Sequence, residues 1–227
     1  MNRPSRLVVV AGTATEVGKT WVAARAIAAL RDHGLTVAAR KPAQSFEAGA
    51  FEAGAFEADD PEASTDAALL GAAAGEPPGT VCPPHRWYRV AMAPPMAADS
   101  LERSRIHLAE LVGEVTASWP QDPVDVGVVE LAGGPWSPIA HDGDGLELTR
   151  LLHPDLVVLV ADAGLGTLNA VRPATEALAA TAPVTVLLNR FDRADELHRR
   201  NLDWLREHDG IVALTAVDQL VDHLIAV

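Results

Sequence analysis

The sequence predicts an α/β fold: a three-layer sandwich with a mainly parallel central sheet between helices. Short apolar runs alternate along the chain with amphipathic stretches, the pattern of a parallel sheet covered by helices. Several of those runs are apolar almost throughout, as strands buried on both faces must be. The third observation is size. A chain of 227 residues suffices for one domain with a substantial core, and no linker of domain-boundary character interrupts residues 1–227.

Taken in order, strands are expected at residues 7–11, 36–40, 124–130, 156–161, 184–188 and 211–214. Between the first two, Val22, Ala23, Ala26, Ile27 and Leu30 recur at helical spacing and stop before Gly34, which suits a C-cap. Residues 175–181, 195–208 and 217–226 read as further helices. One stretch breaks the pattern. In "FEAGAFEAGAFEA", residues 46–58, Phe46, Phe51 and Phe56 recur every five residues, a period that gathers them on one face of neither helix nor strand. It reads as a repetitive insertion forming a loop, with a lid closing over a ligand as the sharper alternative.

Charge and composition exclude several classes. The net charge of −13 repels nucleic-acid backbones and anionic membranes, so neither is an expected partner. Cys82 is the only cysteine, which removes intramolecular disulfides and cysteine-cluster zinc sites. "LVVVA" behind the basic "MNRPSR" is too short for a signal-peptide core, and no apolar run approaches a membrane span, so a cytoplasmic protein is expected. "HDGDG", 141–145, lacks the distal ligands of a calcium loop and reads as a turn. His107, His153, His198, His208 and His223 show no metal-ligand spacing and read as surface or core histidines.

Chemistry enters at "VVVAGTATEVGKT", residues 8–20, which follows an apolar strand and precedes a helix. That is where a phosphate-binding loop sits, and its backbone N–H groups and the helix N-terminus bind phosphate oxygens. Lys19 is placed to neutralise the β and γ phosphates of ATP, and the Thr20 hydroxyl to bind Mg²⁺. The fold is therefore expected to be P-loop NTPase-like. Five residues, not the usual four, separate Gly12 from Gly18.

With that spacing, "GTATEVGKT" resembles the loop of the dethiobiotin synthetase family, ATP-dependent carboxylases and cyclo-ligases of the P-loop class. Further segments resemble the family in order. "RKPAQS", 40–45, is similar to its Lys-Pro-Val segment, which implies a catalytic Lys41 beside the catalytic Lys19 and a substrate contact from Ser45; Phe46 stands where the family has glycine. A lysine at the carboxyl end of a parallel strand points into the ligand crevice, although alone it reads as a strand-end solvent residue. In "EASTDAALL", 62–70, the resemblance makes Asp66 a Mg²⁺ ligand; alone it reads as a first-turn helix acid behind a Ser64 or Thr65 cap. "VGVVELAGG", 126–134, is similar to the family's Val-Glu-Gly-Ala-Gly-Gly and implies Glu130 as a Mg²⁺ ligand. A carboxylate ending a buried strand needs such a partner. Leu131 replaces a family glycine, and the expected consequence is weaker ATP binding, because a side chain would stand where backbone approaches phosphate.

"DAGLGTLNA", 162–170, resembles the family turn that holds the substrate carboxylate from the neighbouring subunit of a dimer, which implies that role for Gly166, Thr167, Leu168 and Asn169. Asn189 in "LLNR" matches an adenine-reading asparagine, and equally a common turn residue. The resemblance thus implies ATP contacts by Glu16, Val17, Gly18, Lys19, Thr20, Trp21, Asp66, Glu130, Leu131, Ala132, Gly133 and Asn189, and Mg²⁺ held by Thr20, Asp66 and Glu130. It implies substrate contacts by Thr15, Ser45 and residues 166–169, and a homodimer with a shared site. The implied reaction closes 7,8-diaminononanoate with CO₂ into dethiobiotin, a step of biotin biosynthesis. Two alternatives are a related amide-forming ligase and a degenerate homologue that binds nucleotide or ligand without turnover.

Overall fold

The computed structural model describes residues 3–46 and 65–226. Residues 47–64, which include most of the phenylalanine repeat with Phe51 and Phe56, lie outside the described residues. The strands are β1 (Arg6–Gly12), β2 (Val37–Arg40), β3 (Gln44–Ser45), β4 (Trp87–Tyr88), β5 (Val126–Glu130), β6 (Pro138–Ala140), β7 (Gly143–Asp144), β8 (Leu156–Asp162), β9 (Val184–Asn189) and β10 (Ala213–Leu214). The helices are α1 (Lys19–Asp32), α2 (Asp66–Ala74), α3 (Pro78–Val81), α4 (Pro94–Ser100), α5 (Leu108–Ala117), α6 (Gly145–Leu152), α7 (Thr167–Ala179), α8 (Glu196–Asp203) and α9 (Val217–Ala226).

Six strands form one sheet in the order β10-β9-β8-β1-β5-β2, and every pairing in it is parallel. All six expected strands are in this sheet. Its side chains alternate between two cores, as a period of two requires. Leu7, Val9 and Ala11 of β1 join Leu111, Leu148, Val171 and Leu178 from α5, α6 and α7. Val8 and Val10 join Val22, Ile27, Leu70 and Leu220 from α1, α2 and α9 on the opposite face. Because β1 is central, its neighbours are reached in both directions, and the carboxyl ends of β1, β2, β5 and β8 open on one rim, where open α/β sheets bind ligands.

β2 is the sheet edge beside that rim, and its outward amides are covered. Ala39 N–H donates to the Glu76 carboxylate at 2.8 Å, and Lys41 N–H to the Val81 carbonyl at 2.8 Å. Arg40, also on this strand, is buried on Glu76, on Ser118 and over the Trp119 ring. Covering edge amides in this way blunts the edge against pairing with another chain.

Two helix boundaries differ from expectation. α7 starts at Thr167 rather than 175 and carries Pro173 as its seventh residue, where a proline removes one i→i−4 hydrogen bond of the helix. α8 runs to Asp203 and passes into a π-helical turn, Trp204–His208. In the "HDGDG" segment only His141 and Asp142 form the expected turn; Gly143–Asp144 is β7 and Gly145 opens α6, which Asp144 caps by accepting from Glu147 N–H. Of the histidines named above, His107, His153, His208 and His223 are exposed or partly so, and His198 accepts from Asp192 N–H.

Candidate active site

The phosphate-type loop is held from below by the end of β9. Gly18 has a φ of +89°, a left-handed conformation that glycine adopts without strain, and a Cβ there would meet Asn189 Nδ2 at 2.2 Å. Asn189 donates from Nδ2 to the Val17 carbonyl at 2.9 Å, and Arg190 donates to the Glu16 carbonyl at 2.9 Å. Glu16 and Arg190 are themselves non-glycine residues at positive φ, 61° and 56°. Two strained positions joined by a hydrogen bond mark a site where the backbone is over-determined. Asn189 thus braces the loop through its amide nitrogen.

Lys19 opens α1, is buried, and donates to the Ala14 carbonyl at 3.0 Å, so its ammonium lies inside the curve of the loop. Among the described residues no side chain caps this helix, which leaves its first amides to an incoming anion. Thr20, in the next position, holds its Oγ1 at 2.9 Å from both Asp66 Oδ1 and Glu130 Oε1, and its single hydroxyl proton serves one of them at a time. Lys41, at the end of β2, meets the same two carboxylates, Glu130 at 2.6 Å and Asp66 at 2.7 Å. Four chain segments therefore converge on one cluster: the start of α1, the end of β2, the start of α2 and the end of β5. Asp66 owes its place to the Thr65 cap, whose side chain accepts from Ala68 N–H.

Electrostatics follow from burial. Glu130 is fully buried, and loss of water raises its carboxyl above the usual range despite Lys41 beside it. Burial opposes charge at Lys41 too, but Asp66 and Glu130 outweigh it and hold the ammonium above the ordinary lysine value. Lys19 is pushed down, by burial first and then by its neighbour Lys41. Burial opposes ionisation of Asp66, yet Lys41 and the Thr20 hydroxyl keep it below its usual value. Two cations and two carboxylates thus sit at the base of a cavity of about 600 Å³.

The cavity is lined by Thr15, Glu16, Gly18, Lys19 and Thr20 on one side and by Lys41, Gln44, Ser45, Asp66 and Glu130 at the base. Ala132, Gly133 and Ser137 follow β5, and Ala91–Pro94 forms the remaining wall. The donor set fits Mg²⁺. Two carboxylates and a hydroxyl are hard oxygen ligands of the number this ion takes when phosphates complete its shell. Glu130 Oε2, moreover, is buried without a partner.

Three sets of expected residues stand apart from this cluster. Leu131 does not present its side chain to the cavity: it is fully buried in the core with Val129, and its N–H donates to the Val10 carbonyl at 3.0 Å. This corrects the expectation of a side chain between backbone and phosphate. Strand alternation turns residues 129 and 131 to the core opposite α1, and Glu130 to Thr20 on the α1 side. Trp21 lies on the outer surface of α1, half exposed, with Arg25 over its ring. The 166–169 turn projects elsewhere: Leu165, Gly166 and Asn169 are exposed, while Thr167 is buried and donates to the Asp162 carbonyl.

Sequence reasoning missed several residues of this region. Gln44 and the Ala91–Pro94 wall line the cavity, Arg190 braces the loop, and buried Asn201 donates to the carbonyls of Ala163 and Gly164 under the 162–170 turn, both at 2.9 Å. Of these, only Asn201 stood in a stretch with a readable signal, a polar residue between apolar positions of an amphipathic helix. Ser45 lines the cavity as expected and donates to the Met92 carbonyl, and Phe46 sits edge-on to Trp87 at 6.5 Å.

The chain is similar to known proteins. A family profile described as an AAA domain, AAA_26, matches residues 6–223. The ATP-dependent dethiobiotin synthetase BioD of Rhodopirellula baltica is 33% identical over 94% of this chain and 84% of its own. That of Rhodococcus jostii is 34% identical over 93% of this chain and 85% of its own. Among solved structures, a plasmid partition protein from Borrelia burgdorferi superposes with a TM-score of 0.55 at 11% identity, covering 99% of this chain and 97% of that one. A DUF1611 family protein from Anabaena variabilis gives 0.54 at 17% identity, covering 99% and 58%. At such identities the structural likeness speaks to the fold alone.

Proposed function

The chain belongs to the ATP-dependent dethiobiotin synthetase family, P-loop ligases that use ATP, and from that premise we propose that it closes 7,8-diaminononanoate with CO₂ into dethiobiotin. The observation that carries the reading is the cluster itself: Lys19, Thr20, Lys41, Asp66 and Glu130 on one cavity floor, beneath a loop of the family's unusual length.

In the proposed reaction, one amine nitrogen attacks CO₂ and loses a proton, giving a carbamate. A carbamate oxygen attacks the γ-phosphorus, and ADP leaves. The second amine then attacks the carbonyl carbon of the resulting carbamic–phosphoric anhydride and expels phosphate, closing the cyclic urea. Phosphoryl transfer asks the protein chiefly for positioning and charge neutralisation. Lys19 is placed for the β and γ phosphates. Lys41, fixed by two carboxylates, presents a cation that does not titrate in the working pH range, on the side where the carbamate would lie. Thr20, Asp66 and Glu130 would hold Mg²⁺, which supplies further neutralisation of phosphate charge. Asn189 and Arg190 hold the long loop in shape, and Asn189 would read the adenine, as the family resemblance implies. The 166–169 turn, whose Gly166 and Asn169 are exposed, would serve the substrate carboxylate of a partner subunit in a homodimer.

The test is ADP release from ATP and bicarbonate, with and without the diamine, followed by mass spectrometry of the organic product. Diamine-dependent ADP release together with a product of dethiobiotin's mass is expected. Retained ATP binding without diamine-dependent release would assign the chain instead to a nucleotide-binding homologue without turnover.

A further inference from the structure

Gln44 is buried in the cavity wall, three residues beyond Lys41, and only 2% of it is exposed. Its Oε1 accepts from Ala67 N–H at 3.0 Å, and its Nε2 is buried without a partner. The amide orientation is dictated, because Ala67 N–H is a donor and only the carbonyl oxygen of Gln44 can face it. Ala67 is the residue after Asp66, in the first turn of α2. The chain between Gln44 and this turn runs through residues 47–64, so the two ends of a long segment are joined directly by this side chain.

An unpaired buried amide donor costs about 1–3 kcal/mol, a penalty that an apolar side chain of the same length would not carry. Packing alone therefore does not account for glutamine here; its oxygen does. Asp66 lies within hydrogen-bond reach of both Lys41 and Thr20, at 2.7 and 2.9 Å. Lys41 is fixed by the sheet edge, whereas Asp66 is the first residue of α2, a helix that packs on the sheet through Ala67 and Leu70 and whose first turn is tied to the β2 side by Gln44. We propose that Gln44 is a positioning residue: it pins the first turn of α2 and so sets Asp66 against Lys41 and Thr20 for binding Mg·nucleotide. This deepens the proposed function and rests on that reading for the role of Asp66.

The test compares the full-length parent with Gln44→Met, which removes the acceptor at similar length, and Gln44→Glu, which keeps an oxygen at the amide of a helix N-terminus where a carboxylate is favoured. Three quantities are read: amide exchange in the first turn of α2, Mg·ADP affinity by calorimetry, and melting temperature. Gln44→Met should exchange faster there and bind Mg·ADP roughly tenfold more weakly, the scale of losing a partner that supports a ligand. Gln44→Glu should restore the protection. Should Gln44→Met melt too low to compare, Gln44→Asn, which retracts the same group by one methylene, takes its place with the same expectations. Faster exchange with unchanged Mg·ADP affinity would reduce Gln44 to a structural tether and overturn the proposal, as would unchanged exchange, or a Glu variant that exchanges as fast as Met. None of these readouts needs the diamine. A parent that fails to turn over 7,8-diaminononanoate therefore defeats the proposed function and leaves this test standing.

Discussion

Replacing Leu131 by glycine restores the residue found in the family and at the same time empties a core position, so it separates two accounts of the β5 end. If the side chain obstructed nucleotide, glycine would tighten ATP binding. The structure turns that side chain into the core with Val129, fully buried, while Glu130 faces Thr20 on the opposite side of the strand. Truncating a buried leucine to alanine costs about 2–5 kcal/mol, and glycine in a strand adds roughly 0.5–1 kcal/mol. Against a domain stability of about 5–15 kcal/mol this is a large fraction. At roughly 2–4 °C per kcal/mol for a chain of this size, the melting temperature should fall by about 10–20 °C. The assay is thermal unfolding, with ATP affinity measured by calorimetry at a temperature where parent and variant are both folded. A melting temperature within ~3 °C of the parent, or ATP bound several-fold more tightly, would refute the reasoning.

Three further outcomes are expected. Glu130→Gln keeps the shape but loses charge, so the Mg²⁺ concentration giving half-maximal nucleotide binding should rise by at least roughly tenfold, since losing even a ligand's supporting partner costs that much; an unchanged Mg²⁺ titration would make Glu130 structural. Asn169→Ala should raise the KM for diamine roughly tenfold or more while leaving that for ATP nearly unchanged, a hydrogen bond to a charged group being about 1.5–3 kcal/mol; equal effects on both would remove Asn169 from the substrate side. Burial pushes the Cys82 thiol up to about 12, so its thiolate is scarce at pH 8 and alkylation should proceed only as the protein unfolds; rapid labelling of the native protein would contradict that burial.

What was legible in the sequence follows from what is local. The six sheet strands showed because each is a continuous apolar run, and the phosphate-type loop because its glycines and Lys19-Thr20 are contiguous. The start of α7 did not show, because Pro173, a residue that in sequence reads as a helix break, stands inside the helix. Lys41, Asp66 and Glu130 came from family resemblance, and alone each had an ordinary reading. Their convergence depends on sheet order: β5 lies between β1 and β2, which brings residue 130 beside residues 20 and 41. No spacing along the chain encodes that adjacency.

The same reasoning explains why Leu131 misled. Comparison by position asks which residue a family keeps, whereas a strand asks on which face the residue falls. Glu130 and Leu131 are adjacent in sequence and opposite in space: one ends a run of Val126 and Val128 on the α1 face, the other continues Val129 into the second core. A departure at 131 therefore alters packing beneath the site, while a departure at 130 would alter its charge. Gln44 shows the converse. It carries no charge and belongs to no catalytic pattern, yet it lies where two segments distant in sequence meet, and its oxygen is the group that joins them. Residues of that kind become visible only when hydrogen-bond partners can be counted, because their role is set by the donor they satisfy and not by their own chemistry.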